Sequence, residues 1–313
     1  MIPKYLSALL ALTASALAQS TTSTTSAPPS TKTEWAPNGL GAVLDSGLNG
    51  LPHSPYTKDK WTWGTLPKFC FDKAKARGCD VYKVEAYNIT YSDCNLGPTV
   101  MCRCEDAPVG IDDLATDFGK VPVKGRQWVR YVSAWAPSGD QIDPCAADGS
   151  DNNIGIYGFC NNKASVYFHE VGHSLDSWAV GNSGSAWSLG QDWRDRINLD
   201  SCVADGYAKS SYPESWAQAV TMAAYHANVQ NIWTLQPTVS CMANQMNKAI
   251  DQVVNSNPLM KRVQGQTCNR IWPAEATVCM GPEAEAAGAC AGISGVQAIE
   301  KAEKRTVEKR FFA

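Results

Sequence analysis

Histidine is scarce in this chain: four among 313 residues, at His53, His169, His173 and His226. That is too few for a zinc-storage protein, which needs several His or Cys clusters. Charge is sparse as well, 18% of residues with a formal net charge of −3. No basic patch stands out, so nucleic acid is not an expected partner. After the first 17 residues no apolar run is long enough to span a bilayer, and no hydrophobic tail suggests a lipid anchor, so no membrane partner is expected. There is no internal repeat. The twelve cysteines contain no C-x2-C spacing, which argues against a four-cysteine structural zinc site.

What is present begins with a secretory signal over residues 1–18. Lys4 supplies a positive start, Tyr5 to Leu17 a short apolar run, and Ala16-Leu17-Ala18 a small-x-small cleavage site. The mature chain is therefore expected to be soluble, secreted and extracellular. Twelve cysteines in such a chain imply up to six disulfides, whose pairing the sequence cannot fix. Cys102 and Cys104 stand on the same side of a strand and are expected to bind different partners. Residues 19–34 are almost all Ser, Thr, Pro and Ala, a disordered, O-glycosylated stretch or the remnant of a pro-segment. Asn88-Ile89-Thr90 is a sequon that would put Asn88 on the surface as a glycosylation site.

A single domain is expected over 35–290, with a charged tail over 291–313. Its front half reads as strands and loops: Val81–Tyr91, Val100–Cys104, Gln127–Trp135 and Ile154–Cys160 as strands, with a short helix at Ile111–Phe118. From Asn161 the pattern turns helical: Ala164–Ala179, then a Gly/Ser loop over Gly181–Gly190, then Glu214–Val229 and Cys241–Asn255. Cys268, Cys279 and Cys290 are expected to staple a C-terminal segment to the body. Gln297–Arg310 reads as a frayed charged helix with two dibasic pairs, Lys304-Arg305 and Lys309-Arg310. The order fits an α+β fold, a twisted mixed sheet packed on the helix at 164–179.

That helix carries His169-Glu170-Val171-Gly172-His173, the H-E-x-x-H pattern. Side chains four apart on a helix lie one above the other, so both imidazoles can reach one zinc ion, with Glu170 beside them as general base. Gly172 costs the helix a little but lets a backbone or a substrate approach closely. A hydrolytic site needs a third protein ligand. The extension H-E-x-x-H-x-x-G-x-x-H fails, because Asp176 and Ala179 stand where Gly and His are required. Glu214 is the candidate, at a helix start that favours the ionised carboxylate. Two alternatives stay open: Ser211-x-x-Glu214 also fits a capping box in which Glu214 would bond only backbone, and Asp205 can serve as the ligand instead. Asp176, one turn beyond His173, is a candidate to orient a ligand imidazole or a surface residue. His226 reads as structural and His53 as a loop residue. Strand Gln127–Trp135 is a candidate edge for an extended peptide.

The segments Val166–Asp176, Asp205-Gly206-Tyr207-Ala208 and Glu214–Gln218 resemble the fungal secreted conidiation-specific protein family. So do Tyr91–Cys94, Cys102-Arg103-Cys104 and Phe118–Val123 with Arg126-Gln127; the resemblance covers roughly residues 40 to 250. The metal segment is also similar to lethal-factor-type zincins, from which it departs at Gln218, where an acidic residue is common. The resemblance implies a zincin-like metallopeptidase fold holding one Zn2+ on His169, His173 and Glu214. It makes Glu170 the base and Tyr207 a hydrogen-bond donor to the transition state. The expected function is a monomeric, secreted zinc endopeptidase acting on peptide or protein. The alternative is a catalytically silent cell-wall or surface protein that keeps the fold.

Overall fold

The computed structural model describes residues 29, 31–137, 145–150, 152–181 and 184–293. The signal segment, most of 19–34, Gln297–Arg310 and both dibasic pairs lie outside them. In chain order the first half holds β1 (Thr33–Glu34), α1 (Leu40–Asn49), β2 (Tyr56–Lys60), β3 (Thr65–Pro67), α2 (Lys68–Arg77), β4 (Val84–Tyr91) and β5 (Thr99–Cys104). Next come α3 (Ile111–Lys120), α4 (Val123–Arg126), β6 (Tyr131–Trp135), β7 (Cys145–Ser150), β8 (Asn153–Gly158) and α5 (Ala164–Ser174). The remainder is α6 (Gln191–Leu199), β9 (Cys202–Val203), α7 (Tyr212–Asn228), α8 (Ala243–Ile250), β10 (Thr277–Cys279) and α9 (Pro282–Ala286).

The main sheet is mixed, in the order β2-β4-β5-β6-β8-β7. β5, β6 and β8 run parallel, while β2, β4 and the far edge strand β7 pair antiparallel. Side chains alternate across it, as a period of two requires. Met101, Val132, Ala134, Ile154 and Ile156 face the larger core under α1, α3, α5 and α7. Cys102, Cys104, Trp135 and Tyr157 face a smaller core under α2, β3 and β10. Burial on both faces explains why every residue of β6 is buried.

Six disulfides join Cys70–Cys102, Cys79–Cys104, Cys94–Cys268, Cys145–Cys160, Cys202–Cys241 and Cys279–Cys290. Cys102 and Cys104 do take different partners, both in or just after α2. The C-terminal segment is tied down by Cys94–Cys268 and by β10 pairing with β3, while Cys279–Cys290 closes only a local loop.

Several elements differ from the sequence expectation. The strand expected over Gln127–Trp135 starts only at Tyr131. Pro122 opens a helical turn, and the N–H groups of Gln127, Trp128 and Val129 donate back into it. β6 is also interior, between β5 and β8, so it offers no free edge for a peptide. Val81–Lys83 is a 3-10 turn ahead of β4. Helices α1 and α2 occupy the front half, read as strands and loops. Thr33 and Glu34, assigned to the disordered stretch, pair parallel with Cys202 and Val203. Helix α5 gives way at Leu175 to a wider π turn through Val180, where the Gly181 N–H donates to Asp176 O. Asn88 lies on interior strand β4, half-buried, and its Oδ1 accepts from Trp61 Nε1 at 2.9 Å.

Candidate metal centre

Helix α5 is anchored from α1. The free N–H of Ala164 donates to Asn49 Oδ1 and that of Ser165 to Asp45 Oδ1, so the neighbouring helix caps its first turn. The opposite wall is α7, which crosses α5 at Gly172. A Cβ built there would lie 3.0 Å from Ala217 Cα, so the absence of a side chain is what admits α7. The crossing brings Glu214, one turn before Ala217 and Gln218, over the two histidines.

His169 Nε2 and His173 Nε2 stand 3.1 Å apart, and Glu214 Oε2 lies 3.0 and 3.1 Å from them. Ligands at zinc distances in tetrahedral geometry are about 3.3 Å from one another. The triangle therefore fits one small divalent cation. Among the described residues the other such cluster contains the disulfide-bonded Cys79 and Cys104, whose sulfurs are no longer available as thiolates.

Of the two alternatives to Glu214 as ligand, one is half present. Ser211 Oγ does accept from the Glu214 N–H at 3.2 Å, but the Glu214 carboxylate turns to the imidazoles rather than back to the cap. Burial alone would raise its pKa; the two imidazoles set against it outweigh burial and hold the carboxyl far below the usual range. Asp205 is not among the converging atoms. Its carboxylate accepts from the N–H groups of Leu40 and Ala208 and from Gln218 Nε2.

Glu170 is buried, and its Oε2 has no hydrogen-bond partner among the described residues. That oxygen rests against the edge strand: a Cβ on Gly149 would meet it at 2.7 Å. Burial pushes the Glu170 carboxyl up to about 8; the charge of His169 opposes the shift and that of Glu214 adds to it. Tyr207 sits in a 3-10 turn before α7, its ring 5.4 Å from the His169 ring. Burial, reinforced by Glu214 and Glu170, raises its phenol well above the ordinary value and keeps the proton on it. Glu170, His169 and Tyr207 line one cleft of about 480 Å³, bounded also by Leu40, Ala146 and Ala147.

Asp176 is buried, and its oxygens accept from Ser188 N at 2.8 Å and Ser188 Oγ at 2.6 Å. It ties the following loop to the π turn; burial raises its carboxyl to about 6, opposed by the bonds from Ser188 and by the charge of His173. His226 accepts from the Ile232 N–H, and exposed His53 lies in a loop beside Tyr56. The sequence reading missed the part played by two residues. Gln218 contacts His169 Nδ1, a position signalled by its spacing of four from Glu214 on one helix face. Gly149 had no signal, since it lies next to Glu170 only through the sheet.

The family profile described as Conidiation-specific protein Con-13 matches residues 37–310. Conidiation-specific protein 13 of Neurospora crassa is 44% identical over 252 residues, which cover 79% of this chain and 71% of the relative. The chain belongs to the Conidiation-specific protein Con-13 family.

Proposed function

We propose that the chain is a secreted zinc-dependent metalloendopeptidase with a zincin-like fold, in which His169, His173 and Glu214 hold one Zn2+. The observation that carries this reading is the convergence of three ligand atoms within 3.0–3.1 Å beside a buried carboxyl oxygen that has no hydrogen-bond partner among the described residues. A structural metal site has no use for such a group; a hydrolytic one requires it. Six disulfides suit an oxidising extracellular setting.

Zinc, when bound, supplies Lewis-acid polarisation of the scissile carbonyl and of water. Glu170 accepts the proton from the attacking water and returns it to the leaving amine. Tyr207 donates its phenolic proton as a hydrogen bond to the oxygen on which charge develops. Edge strand β7, antiparallel to β8 and beside the cleft, offers backbone groups to an extended peptide, the role first expected of Gln127–Trp135. The substrate is a peptide or unfolded protein, and the enzyme acts as a monomer.

The test is cleavage of a denatured protein, with chelation and zinc add-back, by the wild type and by Glu170→Gln. Expected are chelator-sensitive cleavage in the wild type and none in the variant, with zinc retained by both. A wild type that holds zinc and cuts nothing overturns the hydrolase reading in favour of a silent surface protein.

A further inference from the structure

The Nδ1 side of His169 is held by a chain of hydrogen bonds whose polarity can be read in one direction only. Asp205 is 2% exposed. Its Oδ1 accepts from the Ala208 N–H at 3.0 Å, and its Oδ2 accepts from the Leu40 N–H at 3.1 Å. Backbone N–H groups only donate, so both Asp205 oxygens face donors as acceptors. The end of the Gln218 side chain that lies 2.7 Å from Oδ2 must therefore be its NH2 group. Its carbonyl Oε1 is then turned to His169 Nδ1, 3.1 Å away. A carbonyl oxygen only accepts, so Nδ1 carries the proton. On a neutral imidazole that leaves the lone pair on Nε2, the atom facing Glu214 and His173.

We propose that Gln218, oriented by Asp205, is a positioning residue that fixes His169 in the tautomer able to bind a metal. The proposal rests on the metal-centre reading above. It gives Asp205 a role other than ligand and explains why Gln rather than an acid suffices at 218. A neutral amide, once its NH2 is committed to Asp205, presents an acceptor to the imidazole without adding a second negative charge. The same network reaches the start of α1 through Leu40, so the segment from Thr33 to Leu40 and the metal ligand share one anchor.

The test is zinc affinity of the full chain, by competition with a chelating dye, for the wild type, Gln218→Met and Gln218→Glu. Met keeps length and burial but offers His169 no oxygen; Glu keeps the acceptor. Met is expected to weaken zinc binding about ten- to a hundredfold, and Glu, protonated on the oxygen beside Asp205 and still presenting a carbonyl to His169, to weaken it less than Met. In the zinc-loaded wild type the His169 Nδ1 proton should give an exchange-protected NMR resonance that Gln218→Met loses. A Met variant that binds zinc as tightly as wild type, or no such resonance in the wild type, overturns the proposal. If the wild type takes up no zinc, the metal-centre reading fails on its own. Ring nitrogen shifts of the neutral, metal-free protein then still decide the relay: the proton on Nδ1 supports it and the proton on Nε2 refutes it.

Discussion

Gly172 and Ala217 meet at the crossing of α5 and α7, and a methyl group on Gly172 would lie 3.0 Å from the Ala217 Cα and 3.3 Å from its carbonyl oxygen. Helix propensity favours alanine over glycine there by about 1 kcal/mol. Backbone cannot move aside as a flexible side chain can, so overpacking, at about 1–3 kcal/mol, should win. Gly172→Ala is expected to lower stability in urea unfolding and to weaken zinc binding by shifting Glu214 off the histidines. Unchanged stability and unchanged zinc affinity would show that the close crossing is not what holds the third ligand.

Gly149 stands to Glu170 as Gly172 stands to Ala217. Its added Cβ would sit 2.7 Å from Glu170 Oε2 and 3.6 Å from the Cβ of His173. Gly149→Ala should move the base while leaving all three ligand atoms in place. The expected outcome is a loss of kcat of about a hundredfold with one zinc still bound, read by steady-state kinetics and metal analysis. Full activity in this variant would contradict the assignment of Glu170.

Ser211 separates capping from ligation. Its Oγ satisfies the Glu214 N–H, a cap whose removal costs about 1 kcal/mol. Ser211→Ala should lower the unfolding free energy by that amount yet leave zinc affinity within about twofold, because the Glu214 carboxylate does not depend on the cap. A large loss of zinc with little loss of stability would reverse this division.

His226 gives a pH dependence of known sign. Its Nδ1 accepts from the Ile232 N–H, and burial lowers its pKa, with a hydrogen bond to Asn231 opposing. A histidine with a depressed folded pKa leaves the unfolded chain binding more protons. Its contribution is intact above about pH 6.5 and is lost as pH falls below that value. His226→Gln should therefore narrow its stability deficit relative to wild type between pH 8 and pH 5. Parallel curves would remove His226 from the acid response.

The convergence of His169, His173 and Glu214 was legible because its signal is local. Two imidazoles four apart declare one helix face, and Glu214 declares a helix start. Gln218 was legible in principle by the same spacing. Other features are set by tertiary context. β7 runs Cys-Ala-Ala-Asp-Gly-Ser, with no β-branched or aromatic residue, and is a strand because β8 and the Cys145–Cys160 bridge hold it there. α2 buries only Cys70 and Ala74, so no apolar stripe announces it, although Gly78 in the left-handed region marks its end. In Gln127–Trp135 the alternation is real, but Pro122 sets a helical turn that runs into its first half. Asp176 looked like a partner for His173, and only the folded loop could reveal Ser188.

The most direct measurement is anomalous diffraction at the zinc edge from crystals of the zinc-soaked wild-type protein. The expected result is a single peak bonded to Nε2 of His169, Nε2 of His173 and Oε2 of Glu214 at about 2.0–2.2 Å, with one position left open. No peak at that triangle, or a peak coordinated by Asp205 instead of Glu214, would contradict the metal centre on which the whole account stands.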